Sequence, residues 1–229
     1  MSSKHWHNAS HFLEVFDWAV EEVFQFCSEQ GQELELQPGD MLFHLDDDVR
    51  GIYLIWHGHL KTVVPGPQSD TISGIHIAGA VLGLPDLLGT GAHTKNAQAL
   101  SEVKAILIYK GEFLASLAQN PNISYALMRQ MDEALSELEM RATNLIQQPS
   151  AQRLAGSLLT LGKKFGTEPD GRLSVRFTPR DLANLICTTR TTIYRLLKQF
   201  EDEGLIGVDD HGIKLIAEEG LLKRSGITV

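Results

Sequence analysis

Apolar residues recur along this chain with two different periods, and the switch between them divides it. From residue 33 to 109 the apolar runs are short: 33–36, 41–44, 52–56, 60–64, 72–77 and 103–109. Gln37-Pro38-Gly39-Asp40, His57-Gly58 and Pro65-Gly66-Pro67 punctuate them. Many short strands separated by Gly and Pro predict an antiparallel β-roll, or jelly roll, rather than parallel βαβ units. Outside this stretch the period is helical. Phe12, Val15, Phe16, Ala19, Val20 and Val23 predict a lead-in helix within 4–30. A short helix over 113–118 is followed at Asn120-Pro121 by a long one of roughly 25 residues. Along it Leu127, Met131, Ala134, Leu138 and Leu145 alternate steps of four and three, with Arg141 at the one site that should be apolar. Such a seam suits a helix paired with a copy of itself. Met128 and Leu135 form a second apolar row, expected to face the roll. Pro149 forbids continuation, and Leu154, Leu158, Leu161 and Phe165 then mark a further helix over 151–165, with a short strand expected at 173–177.

The last part of the chain carries the densest signals. Thr178, Pro179 and Asp181 supply N-cap, N1 and N3 of a helix whose buried face is Leu182, Leu185 and Ile186. Cys187 and Thr188 make a turn, and Thr188 or Thr189 caps a second helix. Ile193, Leu196, Leu197 and Phe200 fall at i, i+3, i+4 and i+7. At about 100° per residue, Thr191, Arg195 and Lys198 lie opposite that stripe, and Arg190 projects from the first turn. Gly204 ends the helix in left-handed conformation, and 208–213 reads as a hairpin tip. Two short helices, a tight turn and a hairpin make a winged helix-turn-helix, whose second helix places its N-terminal residues against base edges. Thr178, Thr189, Arg190, Thr191, Thr192, Tyr194, Arg195 and Lys198 are the candidate DNA-binding residues.

The expected organisation is therefore α+β: a β-roll sensor domain over 1–119, a dimerisation helix over 120–148 and a winged helix-turn-helix domain over 149–229. A net charge of −9 at first opposes a nucleic-acid partner. The acid is unevenly placed, however: residues 1–149 hold 8 Lys+Arg against 19 Asp+Glu, and residues 150–229 hold 12 against 10. A net +2 on the reading domain leaves phosphate contact to local placement of charge. Hydrophobic content of 43% is ordinary, no apolar run reaches the length of a membrane span, and residues 1–16 lack a signal peptide's apolar core, which points to the cytoplasm. Cys27 and Cys187 are far apart, so neither a structural disulfide nor a cysteine-ligated cluster is expected.

A β-roll, a long helix, a proline break and a C-terminal winged helix-turn-helix, in that order, resemble the Crp/Fnr family of bacterial transcription regulators. The sharpest match is the run Thr189-Arg190-Thr191-Thr192-Ile193-Tyr194-Arg195-Leu196-Leu197. The resemblance implies a homodimer on double-stranded DNA, with Arg190 and Arg195 reading guanines, and contact with RNA polymerase if the protein activates. In the family's commonest helix a glutamate follows the first arginine, and Thr191 stands there instead. The branch with a neutral residue, including the cyanobacterial nitrogen regulators, is closer in this helix.

The sensor side departs further from the cyclic-nucleotide members. Their phosphate cassette needs a glutamate after the glycine and an arginine beyond it. Here Leu84 and Pro85 follow Gly83, and no arginine occurs before Glu102. Gly83, Leu84, Pro85, His93, Thr94 and Leu138 are the positions where an effector pocket would fall, and cyclic AMP held in the usual way is not expected. The oxygen-sensing branch's N-terminal cysteine cluster is also missing. His57, His59, His76 and His93 keep haem open as a cofactor, with no spacing that singles one out. No metal site and no catalytic residue are expected. A cupin-like metalloenzyme would use His57-Gly58-His59, but Leu60-Lys61-Thr62-Val63-Val64 supplies no carboxylate to complete the ligand shell.

Overall fold

The strands at the centre of the roll are apolar on both sides, and the arrangement around them explains why. In the computed structural model, which describes residues 31–226, ten strands and seven helices are formed among the described residues. The roll contains β1 (Gln32–Leu36), β2 (Met41–Phe43), β3 (Gly51–His57), β4 (Leu60–Val64), β5 (Thr71–His76), β6 (Val81–Leu82), β7 (Asn96–Ala99) and β8 (Val103–Tyr109). They make two four-stranded sheets, ordered β1-β8-β3-β6 and β2-β7-β4-β5. Alternate residues of a strand point to opposite faces. Ile52 and Leu54 of β3, with Ile106 and Ile108 of β8, pack beneath α1 (Leu84–Leu88), α2 (Lys110–Gln119) and the start of α3 (Pro121–Gln147). Tyr53 and Ile55, with Ala105 and Leu107, pack on the opposite face against Phe43, Leu60 and Ala97 of the other sheet. Both faces are covered, so these strands read as continuous apolar runs. Gly58 closes the β3–β4 turn at φ +88°, and a Cβ there would come within 2.0 Å of the Glu102 carbonyl oxygen.

The expected strands are all present except 173–177. There Leu173, Val175 and Phe177 are buried in alternation, but only isolated bridges form, from Leu173 to Thr167 and from Arg172 to Lys214. Three elements of the roll were not anticipated: β6, β7 and α1. The lead-in helix, with its histidines and Cys27, lies outside the described residues.

Contacts divide the chain into two units: 1–65 with 73–136, and 66–72 with 137–229. The division cuts α3. On this 27-residue helix Met131, Ala134, Leu138 and Leu145 of the expected seam are exposed, but Leu127 and the second row have changed places. Leu127, assigned above to the paired seam, is 6% exposed and packs with Ile123 in the core of the first unit. Met128 and Leu135, expected against the roll, are 59% and 54% exposed. The reason is rotational: Ile123 and Leu127, one turn apart, turn to the roll, which carries Met128 about 100° away from it. The exposed row is Met128, Met131, Leu135, Leu138, Ala142 and Leu145. These again step by three and four, and the row now passes through Ala142 rather than the half-buried Arg141.

In the second unit, Pro149 separates α3 from α4 (Ser150–Phe165). Then come α5 (Pro179–Leu185), α6 (Arg190–Asp202), the hairpin of β9 (Ile206–Asp209) and β10 (Gly212–Leu215), and α7 (Glu218–Ser225), a helix not expected from the sequence. Leu154, Leu158, Leu182, Ile193, Phe200 and Leu221 form the fully buried interior of this unit.

Candidate nucleic-acid interface

Both helices of the reading head are held at their first turns by side chains. At α5 the Thr178 hydroxyl accepts from the Asp181 amide at 3.1 Å, and the Asp181 carboxylate accepts from the Thr178 amide at 3.1 Å and from its hydroxyl at 2.6 Å. This closes a reciprocal capping box. At α6 the Thr189 hydroxyl accepts from the Thr192 amide at 3.2 Å and lies 3.0 Å from the Thr192 hydroxyl. The turn between them needs Cys187 at φ +50°, a left-handed conformation that only a few per cent of non-glycine residues adopt. Arg153 of α4 pins this turn, donating through Nε to the Ile186 carbonyl at 3.1 Å and through a terminal nitrogen to the Cys187 carbonyl at 3.4 Å. Neither feature stood out in the sequence, because a lone arginine in a helix carries no mark of its partner. Beyond α6, Gly204 adopts φ +69° and returns the chain to the hairpin.

The expected DNA-binding residues separate into two groups. The hydroxyls of Thr178, Thr189 and Thr192 are engaged in caps, and Lys198 is paired with Asp202 at 2.9 Å, which holds its ammonium above its ordinary range. Arg190, Thr191, Tyr194 and Arg195 are exposed. Among the described residues none of these four has a side-chain hydrogen bond or ion pair. Thr191 and Arg195 lie opposite the apolar stripe, Arg190 projects from the first turn, and Tyr194 is 60% exposed. Uncommitted guanidinium groups at the start of a helix-turn-helix second helix can form bidentate bonds with guanine O6 and N7.

The hairpin is braced from behind. Arg172 donates to both carboxylate oxygens of Asp209, one at 2.9 Å, and Asp209 also accepts from the His211 and Gly212 amides at 2.8 and 3.1 Å. The Arg172 guanidinium, with the His211 amide, holds the Asp209 carboxyl well below the usual carboxylate range. Asp209 therefore turns into the hairpin rather than outward.

In the first unit the expected effector positions are split. Gly83, with φ +84°, precedes α1, where Leu84 is buried in the core and so unable to line an open pocket, while Pro85 is exposed. His93, 1% exposed, stacks on Phe43 with ring centroids 3.7 Å apart. Its Nδ1 lies 3.2 Å from Asp86, which also accepts from the Thr94 hydroxyl at 2.7 Å and the Thr94 amide at 3.3 Å. Nε2 of His93 is buried without a hydrogen-bond partner. Leu138 belongs to the other unit and is exposed. Of the remaining histidines, His57 is exposed, His59 meets the Ser101 hydroxyl, and His76 meets the Thr62 hydroxyl. Burial and the neighbouring His57 lower the pKa of His59.

Comparison with known proteins gives this geometry its context. Residues 33–120 match the model of the cyclic nucleotide-binding domain, and residues 152–224 match the Crp-like helix-turn-helix domain. The fumarate and nitrate reduction regulatory protein of Escherichia coli K12 is 29% identical over 197 residues, covering 84% of this chain and 78% of that one. The transcriptional regulatory protein btr of Bordetella pertussis is 25% identical over 198 residues, covering 85% and 81%. Among solved structures, the c-di-GMP-responsive regulator CLP of Xanthomonas campestris superposes with TM-score 0.77 at 16% identity, covering 85% of this chain and 98% of that one. FixK2 of Bradyrhizobium japonicum gives 0.75 at 17%, covering 87% and 99%. The chain belongs to the Crp/Fnr family of transcription regulators. It is a DNA-binding regulator and not an enzyme, and no helix among the described residues is long and apolar enough to cross a membrane.

A cyclic nucleotide does not fit the residues present. The charged group buried in the loop after Gly83 is the Asp86 carboxylate, which opposes a phosphate, and no arginine occurs there to receive one.

Proposed function

We propose that the protein is a homodimeric regulator that reads a palindromic DNA site through Arg190 and Arg195. The observation that carries this reading is the state of those two arginines: exposed, on a doubly secured helix, and paired with nothing among the described residues. Supporting the dimer, α3 exposes six apolar side chains in a three-four register, the pattern by which two helices bury one another. A second copy paired along this row would set two recognition helices about 34 Å apart, one turn of DNA. The roll receives the controlling signal at the loop over 83–94, where an imidazole nitrogen is buried without a partner. That signal acts through the break at Pro149 and shifts the dimer between states of unequal DNA affinity. Contact with RNA polymerase follows if the protein activates, and the setting is the cytoplasm.

Fluorescence titration of the whole protein against an enriched site and against random DNA tests the reading. Arg195→Ala should weaken specific binding by about 10- to 100-fold per half-site, as loss of one bidentate arginine–guanine contact predicts, and random-DNA binding far less. Equal losses on both would remove the base-reading role.

A further inference from the structure

Three threonines open the recognition helix, and only one is free to meet DNA with both ends of its side chain. Thr189 and Thr192 direct their hydroxyls at each other, 3.0 Å apart, in the cap. Thr191 is exposed, with no side-chain partner among the described residues. Taking Arg190 as zero and about 100° per residue, Thr191 lies near 100° and Arg195 near 140°. The buried residues Ile193, Leu196, Leu197 and Phe200 span roughly 240° to 340°, so Thr191 stands almost opposite their centre. It is also in the first turn, the part of a recognition helix that reaches base edges. Tyr194, three residues on, extends the apolar surface along the same side.

From this placement we infer that Thr191 reads a thymine, at a T·A pair lying within reach of the two arginines. The inference rests on the DNA-reading function proposed above. Thymine offers the major groove a C5-methyl group beside the O4 acceptor, and threonine offers a methyl group beside a hydroxyl donor. Cytosine offers the N4 amino donor, which a carboxylate accepts from more strongly than a hydroxyl does, and it carries no C5-methyl group for the threonine methyl to meet. Residues 190–200 contain no acid, and the first carboxylates beyond them are Glu201, which accepts from the Val208 amide at 3.1 Å, and Asp202, which is paired with Lys198. The helix is therefore built to prefer thymine over cytosine at the position Thr191 faces.

The test begins with selection of binding sequences from a random-core duplex library by the full-length protein. Each thymine of the selected half-site is then replaced by deoxyuridine, which deletes the methyl group and leaves every hydrogen-bonding atom. One thymine per half-site should be sensitive, its demethylation weakening binding about fourfold, equivalent to ~0.8 kcal/mol for one buried carbon. That sensitivity should vanish in Thr191→Ser, which keeps the hydroxyl and loses the methyl, and Thr191→Glu should shift the selected base toward cytosine. Thermal unfolding of each variant at the wild-type temperature shows that the head is intact, as expected for an exposed side chain. If no thymine is sensitive, or if the sensitivity survives Thr191→Ser, the inference is overturned. If in that case Arg195→Ala still weakens binding to the selected sequence far more than to random DNA, the DNA-reading function stands without it. If the wild-type protein enriches no sequence, both fall.

Discussion

The reading head and the loop after Gly83 treat their polar groups in opposite ways. On α6 the groups proposed to recognise DNA are left uncommitted on the surface, and neighbouring hydroxyls and amides are consumed in caps at the first turn. In the roll, Asp86 and His93 are buried against each other, and the exposed Thr94 donates to the same carboxylate. A surface that must bind a large rigid partner can afford free charges in water, where desolvation is postponed until binding. A buried carboxylate has no such freedom and persists only with its donors in place. This difference leaves one region's polar chemistry open to a partner in solution and the other's committed within the fold.

The comparison breaks most visibly if the head loses its core. Phe200→Ala removes a fully buried ring beneath α6 and should cost about 3–5 kcal/mol, abolishing DNA binding and melting the second unit, as followed by calorimetry. Next in size is Leu135→Glu on the exposed row of α3. Sedimentation should show the dimer dissociating at least 100-fold more readily, since a carboxylate would be buried unpaired in the seam. Unchanged association would move the dimer interface elsewhere.

Within the roll, Asp86→Ala leaves the His93 and Thr94 donors without an acceptor and should cost about 1–3 kcal/mol in denaturant titration. The basal affinity for random DNA should be unaltered. Thr178→Ala deletes one half of a capping box, for a loss of about 1 kcal/mol at the head alone. The smallest effect belongs to the hairpin. Asp209 has a folded pKa below its ordinary value, so its contribution is present in full above roughly pH 3.9 and is lost as pH falls through the lower folded value. Protection of the His211 and Gly212 amides, taken relative to their intrinsic exchange rates, should be constant above roughly pH 3.9 and fall below it.

Much of this molecule was determined by sequence alone. Thr178 with Asp181, a threonine cap at 188 or 189 and the Ile193–Leu196–Leu197–Phe200 stripe act over three or four residues, and interactions that local are written in the chain itself. The long apolar runs of β3 and β8 likewise announce strands covered on both faces. The tertiary structure decided the rest. β7, Asn-Ala-Gln-Ala, has little strand preference of its own and is held by pairing with β2 and β4. Residues 173–177 have the alternation of a strand but no continuous partner to pair with. On α3, adjacent rows are both apolar, so periodicity cannot choose between them. The roll chooses by taking Ile123 and Leu127, which leaves Met128 and Leu135 to the surface. Which hydroxyl is spent and which is free is the same kind of question. Helical periodicity already turned Thr191 outward, but only the folded cap shows that Thr189 and Thr192 direct their hydroxyls at each other and leave that of Thr191 uncommitted.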